Sequence, residues 1–235
     1  MALSSKAVFE DRYDAGRRLA EKLAEYAGQS AVVLAIPNGG VPVALGIALA
    51  LEADLDLVIS RKVSLPLLPE GGCGAVTDDG TLILDEAVVR KVGLTQPQID
   101  RQVSQARSSI LKRSLLYHRE KRPIPIGGRV VVIADDGLAA GYTMKAAVVS
   151  VRQRHPKQVI VAAPVGPEPV VKEMETVADK VVTCAVGDIG GFFVADYYRN
   201  WQDISDEEVL RCLRECPQRR PVPRLRPPEV RRRLF

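Results

Sequence analysis

The sequence predicts an α/β fold, a doubly wound and mainly parallel sheet with a small hood and a disordered C-terminal tail. Three observations predict it. Short apolar segments rich in Val and Ile alternate with helix-like stretches. Most of those segments lack polar alternation, as strands of a parallel sheet do when both faces are covered. The last nineteen residues, 217–235, hold five Pro and seven Arg and cannot sustain a regular helix.

In chain order, strands are expected at 31–36 (AVVLAI), 55–60 (LDLVIS), 81–84 (TLIL), 130–134 (VVVIA), 158–163 (QVIVAA) and 180–186 (KVVTCAV). Helices are expected near 11–27, 42–52, 97–120, 142–154 and 168–178. The longest carries Ile99, Val103, Ala106, Ile110 and Tyr117 on one stripe. A last helix opens at SDEE, with Ser205 as N-cap and Glu208 completing a capping box. Residues 64–80 (SLPLLPEGGCGAVTDDG) are dense in Gly and Pro and read as a long excursion, a lid or a plain loop. The organisation is one domain, 1–216, followed by the tail, 217–235.

Of the net charge of +4, the tail supplies +6 (seven Arg, one Glu), leaving −2 for residues 1–216. No apolar run approaches the length of about 18 residues needed for a membrane span, and the first residues lack a secretory pattern. Cys73, Cys184, Cys212 and Cys216 form no CxxC pair, so reduced thiols and a cytoplasmic location are expected. His118 and His155 are isolated and suggest no metal.

The chemistry concentrates at RVVVIADDGLAAGYT, residues 129–143. Asp135 and Asp136 stand at the carboxyl end of a buried strand, where ligands of open α/β sheets gather. Paired carboxylates there could hold Mg²⁺, act as acid and base, or accept hydrogen bonds from vicinal hydroxyls. Residues 137–143 discriminate. Gly137, Leu138, Ala139, Ala140 and Gly141 present backbone amides at a helix N-terminus, and Thr143 adds a hydroxyl, which together suit an anion. Acids for hydroxyls beside a phosphate cradle describe a ribose 5-phosphate. Neither GxxxxGK[ST] nor a strand-borne GxGxxG is present.

This segment resembles the phosphoribosyl pyrophosphate (PRPP) loop of type I phosphoribosyltransferases, and the whole resembles an uncharacterised stand-alone bacterial branch of that family over about residues 8–215. AIPNGGVPVA (35–44) is similar to the family's pyrophosphate loop, with Asn38, Gly39 and Gly40 at the contacts. ISRKV (59–63) puts Arg61 and Lys62 where the family places a basic residue near the leaving group. Residues 72–85 resemble the mobile catalytic lid, and GGFFVADYYRNW (190–201) resembles the branch's aromatic segment. Two positions depart from the pattern, Ala140 for a usual Thr or Ser and Asn38 for a usual Arg, both at phosphate contacts.

The resemblance implies pentosyl transfer: a nitrogenous acceptor displaces pyrophosphate from PRPP. Asp135, Asp136 and Lys62 are the implied catalytic residues, and Mg²⁺ is bound mainly through PRPP. The acceptor is a small nitrogenous molecule, met by a hood built from the N-terminal region and 187–203. A homodimer fits the resemblance. The rival readings are a non-catalytic PRPP or nucleotide sensor and nucleic-acid association through the Arg-rich tail.

Overall fold

The computed structural model describes residues 7–66, 68–117, 123–188 and 190–216. His118 and the 217–235 tail lie outside the described residues. The elements run α1 (Arg12–Lys22), β1 (Val32–Ala35), α2 (Gly40–Leu51), β2 (Asp54–Leu57), β3 (Ser60–Leu65), β4 (Leu68–Thr77), β5 (Leu82–Leu84), α3 (Glu86–Val92) and α4 (Gln96–Tyr117). The second half runs β6 (Val130–Ala134), α5 (Tyr142–Arg152), β7 (Gln158–Ala162), β8 (Val165–Pro167), α6 (Glu168–Glu175), β9 (Lys180–Val182), β10 (Ala185–Gly187) and α7 (Asp206–Glu215).

Five strands form a parallel sheet in the order β2-β1-β6-β7-β9. Alternate residues of each strand feed opposite layers. Val33, Ala35, Val132 and Ala134 pack with α1, α2 and α7, whereas Val32, Leu34, Val131 and Ile133 pack with α5 and Met174 of α6. Both faces are dry, which is why the strands read as unbroken apolar runs. The order reverses between β1 and β6. That switch point opens a crevice at the carboxyl ends of two adjacent strands, the usual ligand position of such sheets.

One local expectation holds in detail and a second in part. The stripe Ile99, Val103, Ala106, Ile110 and Tyr117 comprises the buried residues of α4. Ser205 caps α7 by accepting the Glu208 amide at 3.2 Å. The capping box is only half formed, because the Glu208 carboxylate instead accepts the Tyr13 hydroxyl at 3.2 Å.

Three expectations need correction. Residues 64–80 are largely strand, not an irregular excursion. β3, β4 and β5 form a separate antiparallel sheet, with Cys73, Ala75 and Val76 fully buried. TLIL belongs to this sheet and not to the parallel one. The glycines that suggested a loop serve close strand packing: a Cβ on Gly74 would overlap the Ile83 carbonyl oxygen. The segment 180–186 is two strands, because the Cys184 and Ala185 amides turn to the Pro164 carbonyl and send β10 to pair with β8.

The stretch likened to a mobile lid is hydrogen-bonded to α5. Asp79 accepts the Ser150 hydroxyl of α5 at 2.6 Å, and Asp85 accepts the Tyr142 hydroxyl at 2.8 Å. Replacing Gly74 by Ala should push β5 off β4 and cost about 1–3 kcal/mol, the range for overpacking a tight interior. A denaturant midpoint unchanged from the parent would contradict this packing.

Candidate functional site

β6 ends at Ala134, and Asp135 and Asp136 follow in the crevice beside the β1–α2 loop. The two loops meet because one of them lacks side chains. A Cβ on Gly39 would collide with Asp136 Oδ2, and one on Gly40 would lie 2.7 Å from the Ala134 carbonyl oxygen and 2.8 Å from Asp135 Cα. The Asp136 amide donates to Asp135 Oδ1 at 2.9 Å, folding the first acid back over the second.

Asp136 has a partner from the other end of the chain. Arg12, on the first turn of α1, donates from Nε to Asp136 Oδ2 at 2.8 Å and from Nη1 to the Gln202 carbonyl at 2.7 Å. Its guanidinium lies 3.7 Å from the Trp201 ring centroid, and only 6 % of the residue is exposed. One carboxylate, one carbonyl and an aromatic face together hold this buried guanidinium in place. Tyr198 adds a hydroxyl donated to the Asp136 carbonyl at 2.7 Å.

These partners split the acid pair electrically. Burial, then the adjacent Asp136 charge, raises Asp135 well above the usual carboxylate range. Burial also raises Asp136, but the Arg12 ion pair and hydrogen bond oppose it. Of the two, Asp135 therefore has the greater affinity for a proton.

Beyond the acids, Leu138 is 1 % exposed and plugs the core, its amide donating to the Val165 carbonyl at 2.8 Å. Ala139 and Ala140, next along the loop, are exposed. The amides of Gly137, Ala139, Ala140 and Gly141 donate to no backbone carbonyl among the described residues. Gly141 takes φ +75° as the N-cap of α5, a conformation open to glycine, and Thr143 sits in the first turn after it. Free amides at a helix N-terminus make an anion cradle.

On the opposite side of the acids stands the loop after β1. The amides of Asn38 and Gly39 are likewise free of backbone acceptors, but that of Gly40 is committed to the Ile36 carbonyl at 3.1 Å. The Asn38 side chain points to α7, donating to the Ile204 carbonyl and Asp206 Oδ1 at 3.0 Å each. Arg61 reaches the same loop, 3.4 Å from Asn38 Oδ1. Lys62, its neighbour on β3, projects to the other sheet face with its stem against Gly72. The crevice thus gathers Asp135, Asp136, the 137–141 loop, Asn38, Gly39 and Arg61, whereas the Lys62 stem lies against Gly72 of β4.

Arg12, Arg113 and Asp206 escaped the sequence reading. An Arg one residue after a capping Asp looks like a solvated helix end, and only the return of 198–202 to Phe9 buries it. That return is visible as backbone pairing, Phe9 to Tyr197 at 2.9 Å and Arg199 to Phe9 at 2.9 Å. It makes the hood a single unit of the N-terminal region and the aromatic segment. Val194 of that unit packs over Gly137, where a Cβ would come within 2.6 Å.

The architecture has clear relatives. Two Mycobacterium tuberculosis proteins, both provisionally named phosphoribosyl transferases, are each 39% identical over 206 residues. The match covers 88% of this chain and 46% of theirs, so the chain spans about half the length of the curated relatives it matches. A crystal structure of a Thermus thermophilus protein superposes with a TM-score of 0.74 at 36% identity, covering 90% of this chain and 100% of that one. A protein of Aquifex aeolicus, at 12% identity and a TM-score of 0.50 over 86% of each chain, shares the fold alone. Residues 5–198 match the family model described as the phosphoribosyl transferase domain. With its acid pair, amide loop and glycine-lined partner loop at one switch point, the chain belongs to the phosphoribosyl transferase family.

Proposed function

We propose that the protein transfers the ribose 5-phosphate of PRPP to a small nitrogenous acceptor and releases pyrophosphate. The observation that carries this reading is the acid pair at the β1/β6 switch point, flanked on one side by the free amides of 137 and 139–141 and on the other by those of 38 and 39. Carboxyls suit ribose hydroxyls, and two separate amide sets suit a 5-phosphate and a diphosphate.

In this scheme the bond from C1 to the diphosphate oxygen breaks, the acceptor nitrogen bonds to C1, and the nitrogen sheds a proton. Positive charge develops on the ring and negative charge on the leaving group. Fixed charges and dipoles placed beforehand must supply most of the rate. Asp136, held ionised by Arg12, faces the ring charge. Asp135, whose proton affinity burial raises, is suited to take the acceptor's proton. In this scheme Arg61, which approaches Asn38 of the loop after β1, takes the leaving-group role first expected of Lys62. Mg²⁺ would arrive on the diphosphate as part of the substrate. Among the described residues, no helix is long and apolar enough to cross a membrane.

A second reading, a PRPP sensor without turnover, draws on Ala140 and on the commitment of the Asn38 side chain to α7. Pyrophosphate release from PRPP across a panel of bases and amines separates the two. Tight PRPP binding with no release for any acceptor would leave the sensor.

Three outcomes are expected. Asp135→Asn with Asp136→Asn should weaken ribose 5-phosphate binding at least about 100-fold, since hydrogen bonds to charged groups contribute about 1.5–3 kcal/mol each. Calorimetry showing unchanged affinity would remove the sugar-phosphate reading. Arg12→Gln removes the cation that keeps Asp136 ionised, so the acid limb of the pH–rate profile should move to higher pH. A limb left in place would deny Arg12 that role. For stability, Asp135 binds its proton more tightly in the folded chain than in the unfolded one. Folding stability therefore falls as pH rises from the ordinary carboxylate range through the raised value. Asp135→Asn should then melt at a higher temperature than the parent at neutral pH, with the gain vanishing in acid.

A further inference from the structure

We propose that Arg61 and Arg113 form an anion subsite that Asp206 fills from within the chain, and that the terminal phosphoryl group of a diphosphate displaces Asp206. The identity of the diphosphate rests on the function proposed above; the subsite rests on its own geometry.

β3 supplies Arg61, α4 supplies Arg113 from the turn before Tyr117, and the first residue of α7 supplies Asp206. The Nε atoms of both arginines are buried and have no hydrogen-bond partner. Orphaned buried donors are rare and call for an explanation. The two guanidiniums also oppose one another: burial first and Arg113 second lower Arg61 to about 10. Among the described residues Arg61 makes no ion pair, and its guanidinium has only the long approach to Asn38 Oδ1.

Asp135 acts on Arg61 from the acid pair, and Asp206 is the carboxylate that reaches both arginines, but it fits poorly. Asp206 Oδ1 accepts from Asn38 at 3.0 Å and from the Tyr117 hydroxyl at 2.5 Å, but stays 3.9 Å from Arg113 Nε. That distance is an ion pair without a hydrogen bond. One negative charge on two oxygens cannot satisfy two forks of donors. A phosphoryl group, with three oxygens and close to two charges, matches the charge and the number of donors of the two arginines. Asp206 can yield its place. Its side chain is 40% exposed and it begins a helix, so it can swing to water without unfolding the turn. Asn38 joins Asp206 to the loop after β1, so the displacement would be felt at the free amides of 38 and 39.

The test is calorimetric titration with inorganic pyrophosphate in Mg²⁺ and, separately, with ribose 5-phosphate, on the full chain and on Asp206→Asn, Arg113→Gln and Arg113→Lys. Melting curves check that each variant is folded. Asp206→Asn should bind pyrophosphate about 5–10-fold more tightly, because a competing anion is gone. Arg113→Gln should bind it at least 10-fold more weakly, with Arg113→Lys between that and the parent. Ribose 5-phosphate affinity should stay within about 2-fold throughout. The proposal is overturned if Asp206→Asn weakens or does not alter pyrophosphate binding, if Arg113→Gln leaves it unchanged, or if the parent binds none. Failure of ribose 5-phosphate to bind, with the pyrophosphate pattern intact, would sink the sugar-phosphate reading and leave the subsite standing.

Discussion

The contact between the loop after β1 and the loop after β6 governs this molecule, because each loop supplies what the other lacks. One has free amides and no side chains at Gly39 and Gly40; the other has two acids. A methyl group at either glycine would strike Asp136 or the backbone beneath Asp135. With that space kept empty, the parallel register of β1 and β6 brings both loops to one level, Ala35 beside Ala134. The helices, the second sheet and the hood are arranged around this meeting.

Charge is sorted across the crevice. Acid gathers on the β6 side, where burial would expel it were it not for Arg12. Base gathers on the β3 and α4 side, where Arg61 and Arg113 repel one another and Asp206 is the carboxylate that reaches both. A ligand with hydroxyls at one end and an anion at the other would relieve both imbalances. The arrangement also explains why Arg12 lies on an aromatic face: a guanidinium stacked on Trp201 can be buried with few hydrogen bonds and still hold Asp136 in place.

Much of this was legible in the sequence wherever a local rule had no competitor. The apolar runs of β1, β6 and β7 mark strands because both sheet faces are dry, and the α4 stripe survives intact. The acid pair and the loop behind it are contiguous, so one window of sequence contains them. The remainder depends on contacts between distant segments. Gly74 reads as a loop residue and proves to be a strand residue pressed against Ile83. Lys62 and Arg61 are indistinguishable in sequence, yet the pleat sends them to opposite faces. Arg12 meets Asp136 across 124 positions, and no periodicity announces such a pair. The Gly40 amide reads as available in sequence, but the turn back to Ile36 claims it.

Leu138 carries a last consequence. An apolar anchor in the middle of a polar loop fixes the flanking amides before any guest arrives, so their ordering entropy is lost when the chain folds and not on association. Recognition at that edge of the crevice is then a matter of fit to a ready-made mould. Liganded and empty forms should superimpose along 137–141, and whatever rearrangement accompanies binding must come from the far wall, where α7 leans on Asn38.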